Sequence, residues 1–125
     1  MREILFRGKR IDKNVWVFGN LLQLVDTVKI KDINIMWGYI VDKNTVGQYT
    51  GLKDMNGNKV FEGDIVRYNG TLHKVVFCNI NGCAFFGITM PERGEIWNFD
   101  GITPSEKMEV IGNIYDNPEL IGGAE

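Results

Sequence analysis

A chain of 125 residues, 44% hydrophobic and 24% charged, is long enough to bury one core and too apolar to remain disordered. No apolar run approaches the ~18 residues of a membrane span, and a net charge of −2 argues against a dedicated nucleic-acid binder. Fifteen glycines beside three prolines point to corners between short strands.

Taken in chain order, Ile4, Phe6 and Gly8 alternate with Leu5, Arg7 and Lys9, a strand with polar residues gathering on one face. Arg7 interrupts the apolar start after three residues, short of a secretory hydrophobic region, so a cytoplasmic location is expected. Asp12-Lys13-Asn14 reads as a turn, and residues 15–21 as the returning strand of a hairpin. Residues 24–35 fit neither the helical nor the strand period. Strand character resumes at residues 36–41 and closes at Asp42-Lys43-Asn44.

Asn56-Gly57 suits a type I′ turn, with Lys59-Val60-Phe61 flanking it. Ile65-Val66-Arg67-Tyr68, a second Asn-Gly at residues 69–70, and residues 71–77 form the next expected hairpin. A third Asn-Gly, at residues 81–82, precedes the strand of residues 83–88. Residues 89–105 read as a long loop with strand fragments. Residues 109–115 form a last strand, and Asp116-Asn117-Pro118-Glu119 opens a short terminal helical turn. The expected fold is mainly β: a small antiparallel barrel or sandwich of short strands in a single domain over residues 1–125.

The segments Phe6-Arg7-Gly8-Lys9, Trp16-Val17-Phe18-Gly19, residues 46–54, Asn56-Gly57, Phe61-Glu62-Gly63-Asp64-Ile65-Val66 and residues 110–120 span nearly the whole chain, and together they resemble the YopX-like family. Residues 25–37 and 90–106 carry none of the likeness. The resemblance implies a small, mainly β protein of phages and prophages, and it brings no catalytic residues with it.

Reactive side chains are sparse. Cys78 and Cys83 flank a hairpin loop, but a zinc site wants about four ligands and His73 is the one histidine. Two structural thiols are the plainer reading. A nucleophile-base pair through His73 would need Ser or Cys with an orienting acid. Ser105, the one serine, falls in an expected loop, so a plain polar strand residue is the simpler reading. Glu62 and Asp64 are spaced to share a face, yet Glu-Gly-Asp before a strand is what a turn needs. Gly47-Gln48-Tyr49-Thr50-Gly51 lacks the Gly-Lys-Ser/Thr ending of a phosphate cradle. No catalytic, cofactor or metal residue is therefore assigned.

Charge is uneven. Residues 1–62 hold ten Lys/Arg against seven Asp/Glu, and residues 63–125 four against nine. Arg2, Arg7, Lys9, Arg10 and Lys13 gather near Phe6, Trp16 and Phe18, the combination of cations and aromatics with which small β folds grip single strands. Alternation puts Arg7 and Lys9 on one face and Phe6 and Arg10 on the other. Two functions from different classes follow. One is an accessory protein acting through protein contacts, with self-association as a cover for strand edges. The other is weak single-stranded nucleic-acid binding through the basic hairpin, with Arg7, Lys9, Arg10 and Lys13 as the contacts.

Overall fold

The structure, a computed structural model, describes residues 4–31, 38–80, 83–90, 95–98 and 105–121, giving the backbone alone at 78–80, 83–85, 90 and 95–98. Among the described residues the architecture is mainly β, two antiparallel sheets with three short 3-10 turns, and neither sheet closes into a barrel. Two compact units divide the chain, Met1–Gly51 and Leu52–Glu125.

In the first unit, β1 (Phe6–Lys9) and β2 (Trp16–Gln23) form the expected hairpin. Asn14 takes a left-handed conformation at φ 57°, and the Arg10 N–H donates to the Val15 carbonyl at 2.9 Å to close the turn. β3 (Val28–Lys31) pairs with β2, and β4 (Tyr39–Val41) pairs with β3. Of the strand expected over residues 36–41, Gly38 precedes β4 without joining it, and residues 36 and 37 lie outside the described residues. A 3-10 turn (Lys43–Thr45) follows, started by the Asp42 carboxylate, which accepts the Asn44 N–H. β5 (Gly47–Lys53) lies on the other side of β1, so the strands run β4-β3-β2-β1-β5.

Residues directly opposite in an antiparallel pair project to the same face. The registers therefore place Gly8, Val17, Leu21, Val28, Ile30 and Val41 on one face of this sheet. Ile30 and Val41 there are buried. Gly8 is required at its position, because a Cβ would sit 2.9 Å from Val41 Cγ2.

In the second unit, β6 (Lys59–Phe61) follows β5 through the turn at Asp54. The five-stranded sheet has the order β10-β9-β8-β7-β11, built from β7 (Asp64–Tyr68), β8 (Thr71–Ile80), β9 (Cys83–Met90), β10 (Glu95–Asn98) and β11 (Glu109–Asn113). Val60, Val66, Val75, Ile88 and Met108 are its core, and half-buried Val110 and Tyr68 pack against them. A register shift between Val110 and Gly112 bends β11 where it pairs with β7. The terminal helical turn forms as a 3-10 turn over Pro118–Ile121.

The Asn-Gly turns differ. Asn69 (φ 52°) and Gly70 (φ 80°) are both left-handed, and Tyr68 pairs with Thr71, a two-residue type I′ loop as expected. At Asn56-Gly57 only Gly57 is left-handed. The Gly57 N–H donates to the Asp54 carbonyl and the Asp54 N–H to the Asn58 carbonyl, a longer loop than the expected type I′. The Asp54 carboxylate accounts for the difference, since it captures the Asn56 and Asn58 N–H groups and holds Asn56 out of the left-handed region. The third Asn-Gly lies outside the described residues. The expected loop at residues 89–105 contains β10, paired with β9.

Candidate binding face

The opposite face of the first sheet has a different character. Lys9 lies across from Trp16, Arg7 from Phe18, Lys31 from Asn20 and Lys29 from Leu22, with Ile40 across from Lys29 on β4. Four cations and an aliphatic and aromatic stripe thus share one surface. Among the described residues of β1 to β5, that surface carries no carboxylate.

Its accessible part is the side toward β2, β3 and β4. Phe18 is 44% exposed, Leu22 39% and Ile40 38%, whereas Arg7 is 7% exposed. The Arg7 guanidinium lies 4.7 Å from the centre of the Trp16 ring and the Lys9 ammonium 5.6 Å from it. Arg7 thereby fixes the indole from a buried position. Lys9 is anchored by its backbone: its N–H donates to Thr45 Oγ1 at 2.9 Å, and its carbonyl accepts the Asp42 N–H at 2.8 Å.

The four basic residues singled out from sequence are split by the fold. Arg7 and Lys9 share the lysine face. Arg10 pairs across the sheet with Val41, stacks 4.3 Å from the Tyr39 ring, and makes a two-pronged bond to Asp12 at 2.9 and 2.7 Å. The Arg10 hydrogen bond holds the Asp12 carboxyl below its ordinary value, and Asp12 in turn raises Arg10. Arg10 is therefore largely neutralised in place. Lys13 belongs to the exposed turn and lines an open groove with Asp12, Asn14 and Asp42. The sequence reasoning missed Lys29 and Lys31. The period-two run Val-Lys-Ile-Lys signals them, but its neighbours Val25 and Ile33 hid it.

In the second unit Asp64 and His73 are held by hydrogen bonds within the fold. Asp64, 2% exposed, accepts the Phe61 N–H at 2.7 Å, which is the turn role expected of Glu62-Gly63-Asp64. His73 is buried, with Nδ1 2.7 Å from the Thr89 carbonyl and Nε2 2.6 Å from Thr71 Oγ1. The register sets Cys78 across from Phe85 and Cys83 across from Ile80, so the two cysteines are not directly opposite. Among the described residues, no three His, Cys, Asp or Glu side chains gather where they could hold a metal.

A family model described as YopX protein matches residues 3–122. The chain belongs to the YopX family. Comparison with curated proteins finds no match. The segments that carry the YopX resemblance now have physical roles. In residues 46–54 it is Asp54 that builds a turn, and in Phe61-Glu62-Gly63-Asp64 it is Asp64. In residues 110–120 the Asn113 side-chain oxygen Oδ1 accepts the N–H groups of Tyr115 and Asp116, shaping the approach to the last 3-10 turn.

Proposed function

We propose that this YopX protein is a non-catalytic binding module that takes single-stranded nucleic acid on the lysine face of its first unit, as an accessory protein of a phage or prophage at work in the host cytoplasm. The observation that carries this reading is the set Lys9, Lys29 and Lys31 beside exposed Phe18, with no carboxylate among the described residues of that face. Cations neutralise phosphates without regard to sequence, and an exposed ring accepts any base by stacking.

Charge favours this over self-association. The first unit holds eight Lys/Arg and five Asp/Glu, against six and eleven in the second. Exposed Phe18, Leu22 and Ile40 give protein contacts, homo-oligomers included, some apolar area. A two-fold copy seated on the same face, however, would set lysines against lysines.

Retention on a single-stranded DNA column at low salt tests the proposal. The native chain is expected to bind, K29E/K31E to flow through, and K13E to behave as native. Flow-through of the native chain, with light scattering that reveals an oligomer, would favour the protein-contact reading instead.

A further inference from the structure

Building on the nucleic-acid reading, we infer that the bound strand is unstacked and follows β2, its backbone crossing that strand obliquely from Lys9 to Lys31 and Lys29 over about four nucleotides. The registers carry this. Lys9 flanks β2 on the β1 side, next to Trp16. Lys31 and Lys29 flank it on the β3 side, next to Asn20 and Leu22. A phosphate chain that touches all three lysines must therefore change sides of β2 as it advances.

Spacing sets the number of nucleotides. Residues on one face of a strand recur about every 7 Å, so Trp16 and Leu22, six residues apart, are about 20 Å apart. Two strand spacings of about 4.8 Å add a sideways shift of about 10 Å between β1 and β3. The path is therefore about 22 Å long. Phosphates along one strand of a duplex are about 3.4 Å apart along the axis. A strand drawn out to about twice that spacing places one nucleotide per facing residue, hence about four from Trp16 to Leu22. Bases freed from each other then stack on the platform available, foremost Phe18 at 44% exposure. A duplex cannot follow, since its bases stay stacked on their own neighbours.

Fluorescence anisotropy with labelled oligothymidylates of two to twelve nucleotides, a twelve-base-pair duplex and poly-glutamate as competitor tests this path. Affinity should rise steeply from two to four nucleotides and then only in proportion to the added starting positions. The logarithmic salt slope should be about −2, the value for three phosphate contacts on single strands, and K29A/K31A should reduce it to less than half. Phe18→Ala should weaken binding about tenfold or more at unchanged slope. A steady rise through twelve nucleotides would overturn the four-nucleotide path while leaving single-strand binding standing. Equal affinity for the duplex would overturn the unstacked geometry. Absence of binding to every oligonucleotide, or equal competition by poly-glutamate, would overturn the nucleic-acid reading beneath it.

Discussion

The Asp54 carboxylate accepts the backbone N–H of Val110, 56 residues away, at 2.9 Å. The same carboxylate accepts the N–H groups of Asn56 and Asn58 at 2.9 and 2.8 Å. One buried side chain therefore shapes the turn before β6 and ties it to β11. Replacing it by Asn keeps the shape but turns an NH2 toward amide donors that need an acceptor. Asp54→Asn is expected to lower stability by about 2 kcal/mol, since charge-assisted bonds are lost and a buried donor is stranded. Urea unfolding of the two proteins checks this; equal midpoints would mean that the loop holds itself.

The same site gives an acid dependence. Burial pushes the Asp54 carboxyl up, but the N–H groups of Val110, Asn58 and Asn56 outweigh it and hold the group below its ordinary value. A carboxyl depressed in the folded state contributes fully above the unfolded value of about 3.9 and loses that contribution as pH falls through the folded value. The stability gap between native and Asp54→Asn protein should therefore be constant from pH 7 to about 5 and close below about 4. A gap that widens toward low pH would mean that the carboxyl is held neutral instead.

His73 has a prescribed tautomer. A carbonyl only accepts, so Nδ1, 2.7 Å from the Thr89 carbonyl, carries the proton. When the ring is neutral, Nε2 accepts from the Thr71 hydroxyl, which then no longer donates to the Tyr68 carbonyl 3.0 Å away. Nitrogen chemical shifts of the imidazole should report the Nδ1–H form at high pH, and Thr71→Val should cost about 1–2 kcal/mol by leaving Nε2 unsatisfied. An Nε2–H signal would contradict the arrangement.

How much of this was legible depended on whether one local cause set the outcome. Asn69-Gly70 was readable because two left-handed residues between paired strands are a purely local demand. Asn56-Gly57 was misread because Asp54, two residues earlier, offers its carboxylate to the same amides. The alternation of Arg7 and Lys9 against Arg10 followed from strand geometry alone. That Arg10 would be tied up by Asp12 did not, because this contact depends on the conformation of the turn between them, and that Lys29 and Lys31 would join Lys9 did not, because it needs cross-strand register. Register is fixed by which face is buried, here by Ile30 and Val41, and a segment of only four residues carries too short a pattern to announce it.

Gly8 marks a tight approach in the first sheet. A Cβ there would meet Val41 Cγ2 at 2.9 Å and Val41 Cβ at 3.0 Å, and both belong to a stiff, buried β-branched residue. Gly8→Ala is expected to destabilise by about 1–3 kcal/mol despite the better strand propensity of alanine. Pairing it with Val41→Ala should recover part of the loss. Full additivity of the two substitutions in thermal unfolding would place the strain elsewhere.

Lys29 and Lys31 give a contrasting case. They project from the same face of β3 two residues apart, opposite Leu22 and Asn20, and among the described residues neither has an acidic partner across the strand. Like charges spaced about 7 Å on a short strand repel each other weakly, and the residues facing them offer no compensation. K29A/K31A should therefore leave stability within about 0.5 kcal/mol of native, or raise it, while removing single-strand retention. Thermal unfolding of the double variant at low salt decides the matter. A loss well beyond that range would assign these lysines to packing, with their stems covering Leu22 and Ile40, and would take away the reason to read the face as one shaped for an anionic ligand.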